Sequence, residues 1–203
     1  MSKQTSFSVI ADSTPEDWDI IMRSQYEHSR GLVDRVIDHM KILSGGHGGY
    51  PVNRLEHCLQ TAELAAEDGR DDEYVACALL HDIGDTLGIY NHSDVAAAIL
   101  KPFVSEANHW MVKNHAVFQG YNFFHMIGLD RNMRDKFKDS PYYDKTEEFV
   151  MKYDNPAFDA NRKAPDLDHF RPILEKVMDR PVNGLFPEVI SAHEKKWAEE
   201  KQT

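Results

Sequence analysis

Apolar residues recur every three or four positions along most of this chain, which is the spacing of an amphipathic helix. The clearest stretch covers 53–68, where apolar side chains return once per turn until Gly69 ends the pattern. A second stretch, 72–81, carries an apolar stripe and is followed by Gly84 and Gly88. The same spacing predicts further helices over 14–43, 91–100, 105–118, 131–138, 142–153, 168–179 and 187–200.

Residues that begin or end helices stand where this assignment needs them. The run Thr14-Pro15-Glu16-Asp17 combines a capping threonine, a proline at the first helical position and acids in the first turn. Glycines and a proline interrupt 44–51, so we expect either a linker or a lid there. No segment alternates apolar and polar residues as a strand does. We therefore predict an all-α fold, one compact domain of eight or nine helices over 1–203 with an N-terminal arm over 1–12.

Composition narrows the expected location and partners. No segment approaches the ~20 apolar residues that cross a bilayer, and the N-terminus lacks the apolar stretch of a secretion signal. Cys58 and Cys77 lie in apolar helical patterns, which favours reduced core residues and a cytoplasmic location. The net charge of −11 argues against nucleic acid or an anionic membrane as a partner. A small molecule is the expected partner, and the sequence leaves the oligomeric state open.

The dipeptide His81-Asp82 ends the apolar helix predicted over 72–81. Neighbouring side chains on a helix point ~100° apart, so the two cannot chelate one ion from a single face. They suit a site with two ions, in which the histidine binds one and the carboxylate bridges both. The alternative is structural: a histidine satisfied in the core beside an aspartate that caps the helix.

Four further residues favour the metal interpretation. His57, His92, His115 and Asp154 each lie at or near the apolar face of a different predicted helix. Imidazole and carboxylate together are ligands for Zn, Mn, Fe or Ni rather than for Ca or Mg. Four imidazoles and two carboxylates exceed what one tetrahedral zinc needs, so the set favours two metal ions.

The order His57, His81-Asp82, Asp154 resembles the ligand pattern of HD-domain proteins, which are typically helical metal-dependent phosphohydrolases. With His92 and His115 added, the set is similar to that of the HD-domain mixed-valent diiron oxygenases, which include myo-inositol oxygenase and a phosphonate-cleaving enzyme. The resemblance covers roughly 50–180. It rests on Leu55-Glu56-His57-Cys58-Leu59-Gln60, Ala78-Leu79-Leu80-His81-Asp82-Ile83-Gly84, Lys152-Tyr153-Asp154 and Lys163-Ala164-Pro165-Asp166-Leu167.

This resemblance implies an enzyme in which six residues hold two irons, Fe(II)/Fe(III) at rest, with Asp82 as the bridge. Such enzymes use O2 to cleave a C–C or C–P bond next to a hydroxyl, and His81 and Asp82 would form the catalytic centre. Two other functions remain open. One is an HD phosphohydrolase that uses Mn or Zn on a nucleotide or small phosphate ester, and the other is a non-catalytic binding module.

The substrate contacts of the oxygenases are only partly matched. Asp85 stands where the phosphonate enzyme has a histidine, and Gln119 replaces a lysine. His47 and Tyr50 take the places of that enzyme's loop tyrosine and glutamate, while Lys163 is a candidate contact for an anionic group. Because Asp85 adds an acid and aromatic residues lie nearby in the sequence, we expect a cationic substrate or a neutral polyol. The predicted neighbourhood is poor in cationic groups, which disfavours a hydrolase.

Overall fold

The computed structural model describes residues 4–179, 181–183, 193–194 and 197, and this part contains no β-strand. The all-α prediction is confirmed. Eight α-helices lie in the described part, and the helix predicted over 187–200 falls outside it apart from three residues. The helices are α1 (Pro15–Arg30), α2 (Leu32–Ile42), α3 (Arg54–Glu67), α4 (Asp72–Leu80), α5 (His92–Leu100), α6 (Glu106–Phe123), α7 (Tyr143–Phe149) and α8 (Arg171–Met178).

Shorter helical turns complete the architecture. Tight 3-10 turns occur at Ile10–Asp12, Leu43–Gly45, Phe124–Ile127, Met133–Phe137 and Leu167–Phe170. The helix expected over 131–138 is one of these turns. The helix expected over 14–43 divides between α1 and α2 at Gly31, a residue with low helix propensity.

Helix α4 forms the centre of the core. All of its residues from Tyr74 to Leu80 are buried, and it packs against α3, α6 and α8. A helix that is apolar around its whole circumference is buried on all sides. Since α4 ends at Leu80, the next two residues, His81 and Asp82, also lie in the interior.

Two local features place residues beside this end of α4. A reciprocal cap starts α3, in which Asn53 Oδ1 accepts from the Glu56 N–H and Glu56 Oε2 accepts from the Asn53 N–H. A wide π-helical turn, Val150–Asp154, continues α7 and ends at Asp154. Single π turns are often found at functional sites.

Among the described helices, none has the length and apolarity needed to cross a membrane.

Candidate metal centre

Five helical elements bring the six predicted ligands to one place. His57 comes from α3, His81 and Asp82 from the end of α4, His92 from the first position of α5, His115 from α6, and Asp154 from the π turn. Five of these side chains are buried, whereas the His92 side chain is 23% exposed. Their ligand roles remain predictions, but their convergence is a structural fact.

One half of the cluster contains His57, His81 and Asp154. The His57 Nε2 atom lies 3.1 Å from His81 Nε2 and 3.2 Å from Asp154 Oδ1. One oxygen of Asp82, Oδ2, approaches the same group, at 3.7 Å from His57 Nε2 and 3.6 Å from His81 Nε2. Two imidazoles and two carboxylates therefore surround a common point.

The other half contains His92 and His115. Their Nε2 atoms are 3.3 Å apart. The second oxygen of Asp82, Oδ1, lies 3.3 Å from His92 Nε2 and 3.2 Å from His115 Nε2. Asp82 thus presents one oxygen to each half of the cluster, which is the arrangement of a bridging carboxylate.

The ring orientations of three of the four histidines suit a cation in the cluster. Nδ1 of His57, His81 and His115 lies 2.7–3.0 Å from the backbone carbonyl of Ala157, Ala78 and Val112, respectively. When Nδ1 carries the proton and donates it to a carbonyl, Nε2 of a neutral ring carries a lone pair. Lone pairs that face each other repel unless a positive charge lies between them.

The carboxylates support the same conclusion. Asp154 Oδ2 is buried and has no hydrogen-bond partner among the described residues. A buried polar atom without a partner is costly, and a coordinated cation would satisfy it. The donor spacing also suits ligands that share one ion with bonds of about 2.0–2.2 Å. The residues present therefore fit two metal ions.

Burial and charge set the protonation of the cluster. Burial acts to raise the pKa of Asp82 and Asp154, but the surrounding histidines outweigh it and hold both pKa values below the ordinary range. Burial lowers the pKa of His81 to about 4, so this ring is neutral at neutral pH. For His57 and His115 burial is outweighed by the neighbouring carboxylates, and each pKa lies above its ordinary value. The carboxylates thus attract positive charge into this interior.

A sequence model of the family described as HD domain matches residues 54–143. Residues 54–143 are therefore similar to an HD domain. The match includes five of the six clustered residues and stops before Asp154. The π turn places Asp154 next to the other five. HD domains bind divalent metals and typically belong to enzymes, so the expected superfamily and the cluster of histidines and aspartates agree with the match.

The chain is also similar to a curated protein. The chain is 24% identical over 163 residues to a [1-hydroxy-2-(trimethylamino)ethyl]phosphonate dioxygenase (glycine-betaine-forming) of Leisingera caerulea. The alignment covers 65% of this chain and 82% of the relative. The similarity agrees with the resemblance to HD-domain oxygenases.

A cavity of about 420 Å³ opens over both halves of the cluster. Its volume suits a small molecule. Two of the predicted substrate residues, Tyr50 and Gln119, line it. The described residues that line it are Tyr50, Arg54, His57, Asp82, His92, His115, Ala116, Gln119, Asn122, Phe123, Asp154, Asn155 and Phe158.

The other three predicted substrate residues do not line this cavity. His47 and Lys163 are exposed. Asp85 is mostly buried, but its Oδ2 accepts a 2.6 Å hydrogen bond from Arg54 Nε and its Oδ1 lies 3.7 Å from His92 Nδ1. The sequence predicts that Asp85 adds an acid to the site, whereas the structure pairs this carboxylate with Arg54.

The expectation of a pocket poor in cationic groups needs correction, because Arg54 lines the cavity. Its position three residues before His57 puts it on the same face of α3, so helical spacing could have identified it. Phe158 was also missed. Its ring stacks on His57 with centroids 4.2 Å apart, although it lies in a loop with no regular spacing.

Proposed function

We propose that this HD-domain protein is a diiron oxygenase that uses O2 to cleave a C–C or C–P bond next to a hydroxyl in a small polar substrate. The observation that carries the proposal is the position of Asp82, whose two oxygens each approach a separate pair of histidine Nε2 atoms. A second pair of histidines, His92 and His115, is the feature that the proposed oxygenase needs beyond the basic HD ligands.

The two halves of the cluster differ in a way that suits this chemistry. His57, His81, Asp154 and Asp82 would hold one iron, while His92, His115 and Asp82 would hold the other. When bound, a mixed-valent pair supplies O2 activation and Lewis acidity toward a substrate hydroxyl. The His92 half has three protein donors, as catalytic metal sites with an open position commonly do.

The surrounding side chains support substrate binding and exclusion of water. The buried Phe149 ring lies against His81 and His115, with centroids 5.6 and 6.4 Å away, and closes the interior side of the cluster. Gln119 donates to Asp154 Oδ1 at 3.2 Å and accepts from Asn122 at 2.8 Å. This amide pair orients Asp154 from the cavity side. The name of the curated relative, a phosphonate dioxygenase, gives independent support for this reaction class.

An HD phosphohydrolase that uses Mn or Zn is the second candidate, and Arg54 is the observation that favours it. A guanidinium in the cavity can bind a phosphate with two parallel hydrogen bonds. The same group can bind the anionic part of an oxygenase substrate. Arg54 therefore reduces the sequence-based argument against a hydrolase without making hydrolysis the better proposal.

Metal content and reactivity together test the proposal. We expect anaerobically purified protein to contain two Fe per chain and to give a mixed-valent EPR signal that changes when a hydroxylated substrate is added. The same substrate should drive O2 consumption. A protein that contains two Zn or Mn and turns over phosphate esters, with no O2 consumption on any polyol, hydroxy acid or phosphonate, would identify the hydrolase instead.

A further inference from the structure

The six predicted metal ligands form the donor cluster at one side of the cavity. The cavity offers an incoming molecule three further kinds of surface. Tyr50 and Phe158 form an aromatic wall, with ring centroids 5.5 Å apart. Gln119, Asn122 and Asn155 contribute neutral amides. Arg54 is the one lysine or arginine among the described residues that line the cavity. Its position decides which charges the cavity accepts.

Contacts on several sides hold the Arg54 guanidinium. Its Nε donates to Asp85 Oδ2 at 2.6 Å, and its Cζ lies 4.3 Å from the centre of the Tyr50 ring. Nη1 is 3.9 Å from Asp82 Oδ2, too far for a hydrogen bond. The side chain retains 26% exposure, so a ligand can reach it. The group is therefore fixed in place, which lowers the entropic cost of binding an anion.

A cationic group finds no free carboxylate among the described residues that line the cavity. The carboxylates in the lining, Asp82 and Asp154, belong to the donor cluster. Asp85 is paired with Arg54 and does not line the cavity. The Tyr50 ring, which could attract an ammonium group, already has Arg54 over it. A quaternary ammonium at this wall would thus meet a like charge in place of a free aromatic face.

We propose that the substrate is a small hydroxylated acid with one acidic group, carboxylate or phosphonate, and no ammonium group. Its acidic group binds Arg54 while its hydroxyl faces the donor cluster. This inference rests on the proposed function for the role of the hydroxyl. It separates this protein from the relative, whose named substrate carries a trimethylamino group. Arg54 is the residue that determines this specificity.

Three probes that share one skeleton distinguish the effect of the acidic group on binding from the effect of a cationic group. Lactate and (1-hydroxyethyl)phosphonate differ only in the acidic group, and 1-hydroxy-2-(trimethylamino)ethylphosphonate adds the cation to the second. Calorimetric titration of the iron-loaded protein without O2 measures binding apart from turnover. We expect at least one of the two simple acids to bind, and the trimethylamino compound to bind at least about tenfold more weakly than the simple phosphonate.

Variants of Arg54 test whether this residue is responsible. Arg54→Met should weaken binding of the simple acid by about 10- to 100-fold, the value of a hydrogen bond to a charged group. The substitution should also reduce the difference in affinity between the two phosphonates. Arg54→Lys should retain part of the affinity, because the charge remains. Arg171→Met removes a surface arginine paired with Asp34 and serves as the matched control. Iron per chain is measured for every variant, since Arg54 lies near Asp82.

Each failure has a distinct form. The inference is overturned if neither simple acid binds, if the trimethylamino compound binds as well as the simple phosphonate, or if Arg54→Met with full iron binds like the wild type. Binding that depends on Arg54 but never leads to O2 consumption would instead overturn the proposed oxygenase and leave the charge selection intact. Rapid O2 consumption on the trimethylamino compound alone would overturn the charge selection and support the proposed oxygenase.

Discussion

Asp82 and the four histidines around it divide the donor cluster into two separable halves. The Nε2–Nε2 distance is 3.1 Å in the His57–His81 pair and 3.3 Å in the His92–His115 pair, and Asp82 connects the pairs through different oxygens. Because each pair has its own carboxylate oxygen, removal of one histidine should affect one ion more than the other.

We predict that His92→Ala and His115→Ala each reduce the metal content from two ions per chain to about one, since the affected half has only three protein donors. His28→Ala, at an exposed position on α1, should retain both ions. Elemental analysis and native mass spectrometry measure the stoichiometry. Two ions per chain in both cluster variants would contradict the six-ligand assignment.

The junction between α4 and α5 brings His92 to Asp82. Gly84 lies in this junction, where a Cβ atom would stand 2.5 Å from the His92 carbonyl oxygen and 2.6 Å from the Val95 Cβ. Neither atom can move without moving the α5 backbone. The glycine thus permits a close approach of two elements, beyond its role in ending a helix.

We therefore predict that Gly84→Ala displaces the start of α5 and destabilises the protein by about 1–3 kcal/mol, as overpacking in a dense interior usually does. It should also weaken the His92 half of the metal site more than the His57 half. Gly45→Ala is the matched control, because no atom lies within 4 Å of its Cβ position. Thermal unfolding and metal titration measure the two effects. Equal behaviour of the two variants would show that the junction tolerates a side chain.

Across the whole molecule, the cluster connects elements that are far apart in the sequence. His57 and Asp154 come from segments about a hundred positions apart, and His57 Nδ1 also contacts the Ala157 carbonyl at 3.0 Å. Ions in the cluster would link α3, α4, α5, α6 and the π turn. Without them, the buried Asp154 Oδ2 lacks a partner among the described residues.

Metal removal should consequently lower the thermal stability of the whole domain. A ligand present at a hundred times its Kd stabilises by about 2.7 kcal/mol, which corresponds to roughly 5–10 °C in Tm for a protein of this size. We expect scanning calorimetry to show a decrease of that order after dialysis against a chelator, reversed by Fe(II). In His57→Ala the chelator effect should be smaller. An unchanged Tm in the wild type would indicate that no ion links these elements.

The helical class and several helix limits followed from the sequence, because helical spacing, caps and breakers act over a few residues. Helical spacing predicts α3, α4 and α5 closely, but it does not predict the break at Gly31 or the 3-10 geometry of Met133–Phe137, where local packing competes with propensity. The sequence also indicates the six donor residues. Only the tertiary structure determined that they converge, with one Asp82 oxygen facing each half.

The charge of the pocket depended on tertiary structure in the same way. The sequence predicts that Asp85 adds an acid to the site, and it does not indicate that Arg54 lies beside it. The two form an ion pair across the space between α3 and the junction after α4. A side chain's net contribution to a binding site depends on its partners, and residues 31 positions apart become partners only when the chain folds.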